Sequence, residues 1–324
     1  MITVYDTACG SLNMGDEIIM DAVMLHLESI FTHEQFCRYP THYALASKTL
    51  KKAWKNPLAF VGGTNLLRNY WRFRARKNQW AIGFFDGFQM QPAILMGAGW
   101  NSYAKSPEWK ARAFYRNALS KEYIHSVRDN YSLEKLKACG VNNVINTGCP
   151  TLWQLTPEHL AQVASVKAHQ VVFTLTDYSR DIEKDSQLVE CLKKNYQKLY
   201  FWAQGSEDNQ YFDELIQLKP QIFENIERIP TNLKSYNQLL INNEIDFVGT
   251  RLHAGIRALQ LKKRVIIIGI DNRAIEMQKD FNLPVVTRDE IGKLSSMIEE
   301  ELAINVHLPI ESIERWKAQF IKTI

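Results

Sequence analysis

Two side chains have types and spacing suited to chemistry, Arg251 and His253, in the run Asp246-Phe247-Val248-Gly249-Thr250-Arg251-Leu252-His253-Ala254-Gly255. An arginine grips a phosphate or carboxylate through two parallel bonds, and a histidine, with an ordinary pKa of ~6.5, carries protons near neutrality. The pattern predicts a strand ending at Gly249 and a helix capped by Thr250, so that Arg251 and His253 fall in its first turn. There the backbone N–H groups carry about half a positive charge, at the strand end where open α/β sheets bind ligands. One reading is an anion site with a proton carrier beside it. The other is a surface arginine and a histidine that satisfies the helix end.

Other segments carry similar alternatives. Asn13-Met14-Gly15-Asp16 opens a helix, where Asn13 or Asp16 caps it or Gly15 lets a ligand approach the backbone. Gly62-Gly63-Thr64-Asn65 follows an apolar run, as a tight turn or as a backbone platform. No Gly-Lys-Ser/Thr follows it, so it is not a Walker loop. Gly97-Ala98-Gly99-Trp100 is not a G-x-G-x-x-G element, which disfavours a nicotinamide enzyme. Arg68-Asn69-Tyr70-Trp71-Arg72-Phe73-Arg74-Ala75-Arg76-Lys77 interleaves cations with aromatic rings. Such rings stack on sugars or bases while the cations favour phosphate, pyrophosphate or anionic lipid. The alternative is a solvated basic helix with Trp71 and Phe73 partly tucked in.

The elements that must hold these residues alternate between short apolar runs and helical stretches, the pattern of parallel sheets covered by helices. Strands are predicted at 2–7, 58–61, 93–96, 124–127, 171–175, 198–202, 245–248 and 265–270. Helices are predicted at 16–31, 132–139, 185–196 and 236–242, with another opened by Ser106-Pro107-Glu108 and running toward Ser120. The rhythm lapses near 151–167. This gives an α/β chain of two Rossmann-like lobes with parallel sheets and a cleft between them: an N-terminal lobe at 1–155, a C-terminal lobe at 156–308, and a last helix at 309–324 packing back on the first lobe.

A length of 324 residues suits two domains. With 46% hydrophobic and 23% charged residues, disorder, collagen and coiled coil are excluded. The net charge of +4 is too small to call for nucleic acid. Five scattered cysteines (Cys9, Cys37, Cys139, Cys149, Cys191) form no disulfide scaffold or zinc pattern, and no His/Asp/Glu cluster asks for a metal. No stretch approaches the ~18 apolar residues of a spanning helix. A cytoplasmic protein is expected, with the inner face of the cell membrane as a place of contact.

The motifs, taken in order, make the chain similar to the polysaccharide pyruvyl transferase family. Asn13-Met14-Gly15-Asp16-Glu17 resembles its N-x-G-D element and Gly62-Gly63-Thr64-Asn65-Leu66-Leu67 its glycine-rich loop. Ser126-Val127-Arg128-Asp129-Asn130-Tyr131-Ser132 resembles its S-x-R-D-x-x-S segment, and Thr250-Arg251-Leu252-His253-Ala254 its R-L-H-A/G signature. The resemblance implies a fold like that of the two-lobed GT-B glycosyltransferases. It also implies transfer of a pyruvyl group from phosphoenolpyruvate, as donor substrate and with no cofactor, onto a sugar hydroxyl pair of a surface or capsular polysaccharide precursor. His253 and Arg251 would be catalytic. The donor would meet Thr250, Arg251, His253, Arg180, Gln204, Gly205, Asp271 and Arg273. The acceptor would meet Asn13, Gly15, Asp16, Gly62, Gly63, Thr64, Asn65, Arg128, Asp129, Trp71 and Arg72, with a lipid-pyrophosphate carrier giving the basic aromatic stretch a purpose at a membrane. Two departures stand out: Cys149-Pro150 where the family usually has Asp-Pro, and Arg273 where a lysine is common. The alternatives are a sugar-nucleotide glycosyltransferase on the same fold and a non-catalytic saccharide-binding relative.

Overall fold

The computed structural model describes residues 1–73, 79–104 and 106–321. Arg74, Arg76 and Lys77 of the basic stretch lie outside them. The chain is mixed α/β and divides into two compact units. Unit 1 comprises residues 1–11, 19–153 and 308–324, and unit 2 comprises 12–18 and 154–307.

In unit 1, β1 (Ile2–Asp6), β2 (Phe36–Pro40), β3 (Ala59–Gly62) and β4 (Ile94–Met96) form a parallel sheet in the order β2-β1-β3-β4. A parallel pair, β5 (His125–Val127) and β6 (Val144–Asn146), continues beyond β4, where the Gly97 amide donates to the Ser126 carbonyl at 3.0 Å. Strand β1 is buried at every position, as a central strand covered on both faces must be. The helix Ile310–Ile321 completes this core, with Phe320 at 5.3 Å and Trp316 at 6.1 Å from the Phe60 ring.

Unit 2 holds six parallel strands: β7 (Gln170–Thr174), β8 (Lys198–Trp202), β9 (Glu227–Ile229), β10 (Ile245–Gly249), β11 (Val265–Gly269) and β12 (Val285–Thr287). Their order is β12-β11-β10-β7-β8-β9. Counted within the unit this is 3-2-1-4-5-6, the doubly wound order, which reverses between β7 and β10. Gly249 is needed at that reversal, because a Cβ there would stand 2.4 Å from the Thr174 hydroxyl.

Three sequence expectations are corrected. The division falls after Trp153, but residues 12–18 join unit 2 rather than the N-terminal lobe. The Met14 amide donates to the Gln204 carbonyl at 2.9 Å and the Ser206 amide to the Leu12 carbonyl at 3.0 Å. The helix expected from Ser106 starts at Trp109, because Glu108 is extended and gives its amide to the Asn69 carbonyl at 2.9 Å. Four strands escaped the sequence reading, β2, β6, β9 and β12. Among the described residues no helix is long and apolar enough to cross a membrane.

Candidate functional site

At the strand reversal of unit 2, the end of β10 is stitched to the end of β7. The Thr250 amide and hydroxyl both donate to the Thr174 carbonyl, at 3.0 and 3.2 Å, and the Arg251 amide donates to the Thr174 hydroxyl at 3.1 Å. The buried hydroxyls of Thr176 and Thr250 lie 2.7 Å apart. Thr250 therefore ties two strands together instead of capping the helix, as expected from the sequence. The helix is Leu252–Gln260 and its cap position is Arg251, with no side-chain cap. His253, 4% exposed, is its second residue, at the positive end of the helix dipole.

Arg251 is placed differently from the expected ligand-facing cation. Its side chain is 4% exposed. Nε donates to Asp208 at 3.0 Å, and Nη2 donates to Asp177 at 2.5 Å and also to Asp208. Burial works against the guanidinium charge, but Asp208 and then Tyr178 and Asp177 hold its pKa above the ordinary arginine value. Asp208 also takes the Gln204 amide at 3.0 Å and the Gly205 amide at 2.7 Å. Only a glycine fits at 205, since a Cβ would sit 2.3 Å from Arg251 Nη2. Through these contacts Arg251 ties the loop after β8 to the start of the helix that follows β10.

That loop meets the N-terminal motif. Asn13 pairs with Gly205 in an antiparallel bridge, its Oδ1 accepts from the Gly15 amide at 3.0 Å, and Gln204 Nε2 donates to the same oxygen at 2.8 Å. Because Asn13 Oδ1 is thereby an acceptor, the Gln204 amide orientation is fixed. Its Oε1 is left buried with no hydrogen-bond donor among the described residues. Asn13 and Gly15, expected beside the acceptor residues of the other lobe, thus sit with Gln204 and Gly205.

Beyond β11, Asp271 caps the helix Asn272–Phe281 and takes Arg273 Nε at 2.9 Å. Tyr178 donates to Asp271 at 3.2 Å, accepts from Arg273, and lies with its ring 4.9 Å from the Arg251 Cζ. Burial opposes the Arg273 charge, but Asp271, Tyr178 and Asp16 raise its pKa above the usual value, so Asp16 lies within electrostatic reach of Arg273. Arg180 donates through Nε to the Asp177 carbonyl at 3.0 Å and through Nη1 to Glu214 at 2.7 Å, over the Tyr211 ring. Sequence reasoning missed Asp177, Tyr178 and Asp208. The available signal was their place just after strands β7 and β8, on the side where α/β ligands bind.

In unit 1, Gly62, Gly63 and Thr64 follow β3, with Gly63 and Thr64 in the left-handed region at φ 36° and 59°. Arg128 is buried. Its Nη1 donates to Asn65 at 2.6 Å and its Nε to Asp129 at 2.9 Å, while Nη2 is buried with no acceptor among the described residues. Asp129 caps the helix Asn130–Ala138 through the Ser132 amide at 2.7 Å. Cys149 is buried within the field of Arg128, and burial pushes its thiol pKa up against the pull of Thr151 and Arg128. Trp71 is not a sugar platform. It is 2% exposed, stacked on Phe114 at 3.6 Å and covered by Arg68 at 3.8 Å, whereas Arg72 is exposed. A cavity of about 510 Å³ opens at the other end of this sheet, beside Trp54, Asn56 and Gln91, and touches none of the motif residues.

Both units are α/β layers, and solved structures with the same fold are readily found. The UDP-GlcNAc 2-epimerase of Methanocaldococcus jannaschii, in complex with UDP-GlcNAc and UDP, matches with a TM-score of 0.56 at 14% identity, over 98% of this chain and 99% of that one. The Neisseria meningitidis UDP-GlcNAc 2-epimerase bound to UDP-GlcNAc matches at 0.51 and 13%, over 100% and 99%. The S. aureus MnaA–UDP structure matches at 0.51 and 12%, over 100% and 97%. At these identities the likeness establishes the two-lobed Rossmann-like fold. A search of curated proteins finds no match. The sequence model of one family runs from the Asn13 motif, through the glycine loop and the Arg128 segment, past Arg251 and His253 to Asn272, matching residues 13–272. The chain belongs to the polysaccharide pyruvyl transferase family, a family of transferases.

Proposed function

We propose that this protein moves a pyruvyl group from phosphoenolpyruvate to two hydroxyls of one sugar in a surface or capsular polysaccharide precursor, leaving a pyruvate ketal and inorganic phosphate. A proton adds to the donor's methylene carbon, making it a methyl group and leaving cation character on C2. One sugar hydroxyl bonds to C2 and gives up its proton. The C2–O bond to phosphate breaks, and the second hydroxyl, losing its own proton, closes the ring. His253 is the proton carrier, a role worth about 10²–10⁴-fold in rate. Arg273 and the start of the helix Leu252–Gln260 supply positive potential for the donor's carboxylate and phosphate. Arg251 acts through the geometry it imposes, and Gln204 Oε1 offers an acceptor suited to a hydroxyl.

One observation carries the reading: His253 lies in the first turn of the helix that follows β10 at the strand reversal of unit 2, within a chain of this family. The test is thermal unfolding with phosphoenolpyruvate against a panel of nucleotide sugars, since a ligand at 100 times its Kd adds about 2.7 kcal/mol. Stabilisation by phosphoenolpyruvate, with phosphate release lost in His253→Ala, is the expected result. Stabilisation by a uridine or guanosine sugar nucleotide alone would favour a glycosyltransferase, the class of ligand named for the structural relatives above. Stabilisation by saccharide alone would favour a non-catalytic binder.

A further inference from the structure

Unit 1 carries a cluster of exposed aromatic rings that its core does not use. Phe73, Phe85, Phe88 and Trp109 are 51%, 57%, 48% and 65% exposed, yet they form one group. Phe84, itself buried, has its ring centre within 6.0 Å of all four. Large apolar groups scattered singly on a surface need no explanation, but a contiguous patch marks a contact surface.

Cations frame the patch. Lys110 Nζ lies 4.0 Å from the Phe73 ring centre and 5.6 Å from that of Trp109, and Arg72 and Arg112 are exposed close by in sequence. The acids in these segments are fewer: Asp86, which accepts the Gly83 amide at 2.6 Å, and Glu108. The stacking positions on Phe73 are taken by Phe85 at 5.6 Å and by Lys110, which disfavours a single sugar ring as the occupant.

We propose that this face of unit 1 is a peripheral membrane-docking surface for anionic phospholipid, with Phe73, Phe85, Phe88 and Trp109 entering the headgroup region and Arg72, Lys110 and Arg112 meeting its negative charge. Rings that are apolar but tolerate a wet edge concentrate at bilayer interfaces, and each cation near an anionic leaflet contributes about 1 kcal/mol. Several rings together with several cations satisfy the need for two signals in stable docking.

Co-sedimentation of the full chain with vesicles tests this. Binding is expected to mixed phosphatidylglycerol–phosphatidylcholine vesicles, to weaken with salt, and to be far lower on phosphatidylcholine alone. The double variant Arg72→Gln/Lys110→Gln should bind the anionic vesicles roughly 30-fold more weakly, from two cations lost. Phe85→Ser/Phe88→Ser should lose binding while keeping the melting temperature, because both rings are exposed. Absence of binding to anionic vesicles, or binding unchanged in both double variants, overturns the proposal. So does a dimer in equilibrium sedimentation that Phe85→Ser/Phe88→Ser dissolves while vesicles bind nothing, which would make the patch a self-association surface.

Discussion

Arg251→Lys separates two meanings of the signature arginine. Lysine keeps the charge but brings one flexible ammonium in place of a planar fork. The wild-type guanidinium reaches both oxygens of Asp208, fully out of water, and one of the partly exposed Asp177. An ammonium on a shorter reach keeps some of this and gives up at least one charge-assisted bond, worth about 1.5–3 kcal/mol. At ~2–4 °C per kcal/mol for a body of this size, the melting temperature of unit 2 should fall by roughly 3–12 °C. Hydrogen exchange gives the local readout, because the Gln204 and Gly205 amides are bonded to Asp208 and should lose protection as that carboxylate loosens. Asp208→Asn should act in the same direction. Unchanged melting and unchanged amide protection, with phosphoenolpyruvate binding alone weakened, would refute the positioning role and return Arg251 to the ligand.

Three further outcomes follow from the packing. His125 is buried with Nδ1 accepting the Leu95 amide at 3.2 Å and Nε2 set against the Ser120 carbonyl at 2.8 Å, and burial lowers its pKa to about 4. The unfolded chain therefore takes up this proton first. Stability present above pH ~6.5 should decline as pH falls toward 4, by about 1.4 kcal/mol per pH unit from this group, a slope that urea midpoints should show flattened in His125→Asn. Trp71→Ala should cost about 3–5 kcal/mol in urea unfolding, while Arg72→Ala should stay within about 0.5 kcal/mol; a mild Trp71 variant with impaired sugar binding would restore its expected role. Gly99→Ala should cost about 2 kcal/mol or more by the same measurement, because its Cβ would lie 2.2 Å from the Arg128 Cζ and that guanidinium is pinned by Asn65 and Asp129.

The strands legible in the sequence are those with two covered faces. Val265 to Gly269 and Ile245 to Gly249 are buried throughout, so apolar runs betray them. The strands that escaped are partly wet. Strand β9 is mostly exposed, and β2 carries Arg38 and ends in Pro40, as an edge strand can. The first turn with Arg251 and His253 was legible because a strand, a glycine and a helix follow one another locally. What Arg251 touches was not, because Asp177 and Asp208 arrive from two other strand ends, 74 and 43 residues away. Trp71 was misread for a related reason: a ring beside cations looks the same in sequence whether it faces solvent or Phe114.

The helix Ile310–Ile321 has a bearing on how the polypeptide is made. Its Trp316 and Phe320 fill space against Phe60 and Phe31, side chains that leave the ribosome much earlier. Domains that are contiguous in sequence can mature as they emerge, first come first folded. Here the amino-terminal unit must wait with an open core until residues 310–321 have been made. A chain stopped after residue 307 would carry every motif residue and still expose those rings, making it a substrate for chaperones or proteases.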